Sequence, residues 1–242
     1  MSNRLESPTV GDIVAADFRT AQVFEEFGID FCCGGHRSFD DACRGAAAEP
    51  AAVLNALNAI QRSHVEGDDV ASWPLDRLID HIETTHHAYV RRALPAIARH
   101  LGKVLEAHGD RHPELVRIGQ AFAAMSDELQ QHMLKEERIL FPYVRDLVER
   151  QRGACGRTIS PFGTVENPIR MMEREHRDAA GTLQLIRELT GGYAVPVDGC
   201  TTYAVCMAEL AQFERDLHLH VHLENHVLFP RAVALEQSAS TQ

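Results

Sequence analysis

Four long stretches of the chain carry apolar residues at steps of three and four, the spacing that lines one face of an α-helix. In the second stretch Ile118, Phe122, Met125 and Leu129 lead into His132 and Glu136 before Leu140 resumes the apolar series. The fourth makes the same switch: Tyr203, Met207, Leu210, Phe213 and Leu217 give way to His220 and Glu224, and then to Leu228. The third reads Val165, Ile169, Met172, His176, Ala179, Leu183, Ile186, and the first Ile79, Glu83, His87, Val90, Leu94, Ile97, Leu101. The expected helices cover 75–107 with a kink at Pro95, 113–150, 164–190 and 200–235. Long amphipathic helices on short connections predict an all-α, up-down-up-down four-helix bundle over 73–236. No alternating stretch is long enough to support a sheet.

Residues 1–66 read as a smaller helical unit ahead of the bundle. Val10, Ile13 and Val14 suggest one short helix, and Ala21, Val23, Phe24 and Phe27 a second, stopped by Gly28. A glycine-rich turn, Ile29-Asp30-Phe31-Cys32-Cys33-Gly34-Gly35-His36, then carries two adjacent thiols. Ser38 with Asp41 caps another short helix, 46–63 is helical, and Gly67-Asp68-Asp69 forms a linker.

Composition narrows the function. A net charge of −11, from 24 basic and 35 acidic residues, argues against nucleic acid or an anionic membrane as partner. No apolar run approaches the roughly 20 residues of a membrane span, and the first residues lack a signal pattern, so a cytoplasmic location is expected. Six cysteines in a chain of this size do not make a disulfide scaffold. Fourteen histidines are the unusual count, and they direct attention to metal.

Residues four apart stack on one helix face, so His132 with Glu136, and His220 with Glu224, each present a nitrogen and an oxygen donor together. Both pairs sit in the same frame, His-x-x-x-Glu-x-x-x-Leu-Phe-Pro. Burying carboxylates without partners costs several kcal/mol. Four polar interruptions converging in one bundle core therefore call for a shared cation. Imidazoles and two bridging carboxylates suit two irons, although manganese fits the same donors. His86 and His87 are not separable by period alone. Glu83 with His86, and Glu173 with His176, also make the Glu-x-x-His pairs of a ferritin-like di-iron oxidase. Glu128 lies four residues before His132, as Asp216 does before His220. His218, His222 and His226 form a second stripe, turned away from His220 and expected either to be solvated or to back the metal ligands. Cys32 and Cys33 are candidate reactive thiols beside a glycine turn.

Asp30-Phe31-Cys32-Cys33-Gly34-Gly35, His87 before Leu94-Pro95, His132 with Glu136, Glu175-His176, and His220 with Glu224-Asn225 resemble the iron–sulfur cluster repair di-iron family. Its members join an ScdA-type N-terminal domain to a hemerythrin-like bundle. The resemblance implies His87, His132, His176 and His220 as iron ligands, with Glu136 and Glu224 bridging two non-haem, oxo-bridged irons. It also draws attention to Glu128 and Glu175 as carboxylates near the site. It implies repair of clusters damaged by nitrosative or oxidative stress, through iron donation and binding or reduction of NO. Damaged iron–sulfur proteins, NO or O2, and a second copy docking through the N-terminal domain would be the partners. The competing readings are a hemerythrin-like O2- or NO-binding sensor and the ferritin-like oxidase.

Overall fold

The computed structural model describes residues 8–17, 20–62, 70–153 and 162–240. The 67–69 linker, Cys155 and most of the 152–163 loop lie outside the described residues. Among the described residues there is no strand, only an isolated antiparallel bridge between Thr9 and Ser38, and the fold is all-α.

Four short helices come first: α1 (Val10–Ala16), α2 (Thr20–Glu26), α3 (Phe39–Gly45) and α4 (Pro50–Arg62). Thr9 and Asp12 form a reciprocal capping box on α1, and Ser38 caps α3 through the Asp41 amide. The α4 helix starts later than its alanine content suggests. Ala47 takes a positive φ of 53°, and Pro50 then opens the helix, where its missing N–H is not needed.

Each expected bundle helix forms, but three of the four are divided by a widened turn. The first rod is α5 (Leu75–His81), a π-turn at Ile82–His87, and α6 (Ala88–His108). The second is α7 (Glu114–Lys135), a π-turn at Glu136–Leu140, and α8 (Phe141–Gln151). The third is the uninterrupted α9 (Glu166–Leu189). The fourth is α10 (Thr201–His222), a π-turn at Leu223–Leu228, and α11 (Phe229–Ser240). In these turns the amides of Ala88, Phe141 and Phe229 bond to the carbonyls of Glu83, Glu136 and Glu224, five residues back. Pro142 and Pro230 stand two residues past the ends of two of them. A proline removes one backbone donor and crowds the carbonyl four residues behind it, and a helix loosened by one residue tolerates both. Pro95 instead lies inside α6.

The α6 helix packs against α7 and α10, and α7 against α9. Two apolar cores result. One is built on Val90–Val104, Leu115–Met133, Ala179–Ile186 and Tyr203–Val221, with Phe122 and Phe213 meeting edge-to-face at 6.0 Å. The other is built on Leu75–Ile82, Leu140–Val148, Val165–Met172 and Leu223–Leu235. The polar stripe positions fall between them.

Buried N-terminal residues, Phe24 and Phe31 among them, are continuous with the first of these cores. The glycine-rich turn sits on the stripe expected to be solvated. His222 is fully buried and donates from Nδ1 to the Phe31 carbonyl at 3.3 Å, while His226 Nε2 donates to the Cys32 carbonyl at 2.6 Å. Burial next to His226 pushes the His222 pKa down to about 3, so it packs as a neutral ring. The approach requires glycine: a Cβ at Gly35 would lie 2.3 Å from both His226 Nε2 and the Phe31 carbonyl. Gly35→Ala should therefore destabilise the protein by about 1–3 kcal/mol through overpacking, read as a lower urea midpoint.

Candidate metal centre

The stripes bring six polar side chains together between the two cores, each at most 2% exposed: His87, His132, Glu136, His176, His220 and Glu224. They divide into two groups that share both carboxylates. His87, His220, Glu136 and Glu224 form one; His132, His176, Glu136 and Glu224 form the other. Within each group the donor atoms lie within 4.8 Å of one another.

Each carboxylate offers one oxygen to each side. Glu136 Oε2 is 3.4 Å from His87 Nε2, and its Oε1 is 3.3 Å from His132 Nε2. Glu224 Oε1 is 3.1 Å from His220 Nε2, and its Oε2 is 3.1 Å from His176 Nε2. The imidazoles face one another across each group: 3.1 Å between the Nε2 atoms of His87 and His220, and 3.0 Å for His132 and His176.

The outer nitrogens decide what the inner ones carry. His87 Nδ1 donates to Glu137 Oε1 at 2.6 Å, His132 Nδ1 to Glu175 Oε2 at 2.8 Å, and His176 Nδ1 to Asn225 Oδ1 at 2.9 Å. Donation from Nδ1 leaves a lone pair on Nε2 of a neutral ring. Between His132 and His176 lone pair therefore faces lone pair, and the Nε2 lone pairs of His87, His132 and His176 also face carboxylate oxygens. Both oxygens of Glu136, and Oε2 of Glu224, are buried and meet no hydrogen-bond donor among the described residues. Such a cluster is costly alone and fits cations. The donor set of imidazole nitrogen and carboxylate oxygen, with no thiolate, suits a first-row transition metal.

Without metal, protons take part of that role. Burial opposes charge on His132, but Glu136 and the hydrogen bond to Glu175 outweigh it and lift its pKa from 6.5 to about 10. A raised imidazole pKa adds stability that is complete below about pH 6.5 and is lost as the pH passes about 10. Chelated protein should therefore become easier to unfold in urea between about pH 6.5 and pH 10, and His132→Gln should flatten that slope.

The remaining candidates occupy other places. His86 is buried but outside both groups; it stacks on His220 at 5.5 Å and its Nδ1 pairs with Asp216 Oδ1 at 3.2 Å. Glu83 pairs with Arg145 at 2.9 Å. The donor arrangement is thus not the Glu83–His86 set of a ferritin-like site. Glu175 backs His132 and is itself held by Lys135, and the His132 hydrogen bond lowers its pKa to about 2. Glu128 is exposed and enters neither group. It lines a cavity of about 620 Å³ with Asp127, His132, Lys135, Glu175 and Asp178. Cys32 is buried and Cys33 half-buried, both free, with sulfurs 4.0 Å apart. The Asp30 carboxylate gathers the amides of Cys32, Cys33 and Gly34 and the Cys32 thiol, organising the turn. The neighbouring Cys33 thiol, burial and Asp30 together push the Cys32 pKa well above the ordinary thiol range, which keeps it protonated. Glu137, Arg91 and Lys135 are participants that the inward stripes do not include. Glu137 reaches His87, Arg91 reaches Glu137 and Lys135 reaches Glu175 across helix interfaces, and the hints in the sequence are the four-residue step from His87 to Arg91 and the places of Lys135 and Glu137 on either side of Glu136.

Residues 78–232 match the Hemerythrin HHE cation binding domain, and residues 6–61 match ScdA_N, a domain of unknown function (DUF542). The chain is 34% identical over 225 residues to the iron-sulfur cluster repair protein YtfE of Musicola paradisiaca, a stretch covering 93% of this chain and 96% of that one. It is 32% identical over 214 residues to a probable iron-sulfur cluster repair protein of Haemophilus influenzae, covering 88% and 90%. Against the iron-sulfur cluster repair protein ScdA of Staphylococcus haemolyticus it is 29% identical over 221 residues, covering 91% and 95%. No helix among the described residues is long and apolar enough to cross a membrane.

Proposed function

The chain belongs to the iron–sulfur cluster repair family, a hemerythrin HHE domain preceded by an ScdA-type domain, and on that basis we propose that it repairs damaged iron–sulfur clusters through two iron ions. His87 and His220 would hold one iron and His132 and His176 the other, with Glu136 and Glu224 each offering an oxygen to both. The observation that carries this reading is the sharing: each buried carboxylate presents one oxygen to each imidazole pair.

Bound there, the iron pair supplies one-electron chemistry and a source of exchangeable iron. The residues supply the rest. Glu137, Glu175 and Asn225 fix the tautomers of His87, His132 and His176. The apolar cores on either side keep bulk water away from the carboxylates. Six donors shared between two irons would be fewer than their usual coordination requires, so the iron pair would supply binding of a diatomic such as NO or O2. The acidic cavity with Glu128, Glu175 and Asp178 gives a cation a favourable approach to His132.

Two measurements test this. Metal analysis of purified protein should find two irons per chain, with the absorption band of an oxo-bridged ferric pair. Iron-loaded protein should restore an iron–sulfur enzyme damaged by NO or peroxide, and the chelated protein should not. Equal restoration by both forms would remove iron donation from the reading.

A further inference from the structure

Two of the inward imidazoles are backed by a carboxylate that a basic side chain grips from outside. On one side the chain of contacts is His132, Glu175, Lys135. On the other it is His87, Glu137, Arg91. His87 and Arg91 are four residues apart on one helix, so both face the turn that carries Glu137. That turn also carries Glu136. Adjacent residues therefore place one carboxylate between the imidazole pairs and the next behind His87.

The two imidazole pairs differ in how fully they are supported. In the His132 and His176 pair both outer nitrogens have an acceptor, Glu175 and Asn225. In the other pair only His87 has one. His220 Nδ1 is buried and meets no hydrogen-bond partner among the described residues, and its ring is oriented by stacking on His86. Among the described residues Glu137 is thus the single outer acceptor steering that pair.

We propose that Glu137, clamped by Arg91, is the positioning residue of the His87–His220 metal subsite, and that this subsite depends on its outer acceptor more than the His132–His176 subsite depends on Glu175. A carboxylate behind an imidazole fixes the tautomer and raises the basicity of the coordinating nitrogen, and loss of such a partner lowers metal affinity about 10- to 100-fold. With His220 unsupported, no second acceptor shares that loss. The inference rests on the two-ion reading above.

Titrating chelated, full-length protein with Co²⁺ against a competing chelator, while following the cobalt absorption bands, tests both separately. Wild type should take up two ions. Glu137→Ala should keep one ion at wild-type affinity and weaken the other about 10- to 100-fold, changing the spectrum of one ion only. Glu137→Asp should restore part of the loss, and Glu175→Ala should weaken its own ion less. Circular dichroism of the metal-free variants controls for folding, and should Glu137→Ala fail to fold, Glu137→Gln and Arg91→Ala carry the comparison. Wild type with two ions, and variants that bind both as wild type does or lose both equally, would overturn the inference alone. Wild type binding a single ion would overturn the two-ion reading, and the inference with it.

Discussion

Replacing Glu224 with alanine should empty both halves of the cluster, taking bound iron from two per chain to near none. Its oxygens stand 3.1 Å from His220 Nε2 and 3.1 Å from His176 Nε2, on opposite sides of the site, so one substitution strips a donor from each ion. The charge balance points the same way. On the two-iron reading, the ions' charge among neutral imidazoles would rest on two buried carboxylates, and deleting one would leave strong repulsion in a region of low dielectric. His87→Ala and His176→Ala should instead each remove one ion, since each imidazole faces one group. Iron analysis after gel filtration separates these results, with Glu128→Ala as a variant that keeps both ions because Glu128 enters neither group. A Glu224→Ala protein that still carried two irons would contradict the bridging arrangement.

Stripping the metal should lower the melting temperature more than any exposed substitution. An ion that binds only the folded state stabilises it by about 4 kcal/mol at a thousandfold excess over its Kd, and two such ions by roughly 8 kcal/mol. For a chain of this length each kcal/mol moves Tm by about 2–4 °C, so chelation should lower it on the order of 15–30 °C. The metal-free cluster also keeps two fully buried carboxylates with protons as their only compensation. Calorimetry with and without chelator, followed by re-addition of Fe²⁺, measures the difference. A shift of only a degree or two would mean that the cluster binds metal weakly.

The rods and their inward stripes were legible because burial imposes a period, and period is written in the sequence. Met125, Leu129, His132 and Glu136 keep that step into the site, and so do Leu217, His220 and Glu224. The ambiguity between His86 and His87 has a physical source. The turn at Ile82–His87 is widened by one residue, which buries both rings, and a 3.6-residue period has no place for the insertion. Pro142 and Pro230 were the available signal for two of these turns. Partners reached across helix interfaces, such as Glu137 for His87, leave no periodic trace. Nor did the stripe of His222 and His226 reveal that another part of the chain covers it. Its polarity suggested water or a place behind the metal ligands, whereas its imidazoles hydrogen-bond the carbonyls of the cysteine turn.

That seat makes the fourth rod a two-sided wall. Around Leu223–Leu228 one side supplies Glu224 to the cluster, and the other presses His226 against Gly35 and the Cys32 carbonyl. Anything that swells or reshapes the cysteine turn must displace this stretch or be resisted by it, so chemistry at the thiols and the placement of the donors share one beam. An engineer grafting the bundle elsewhere would have to rebuild that missing backing.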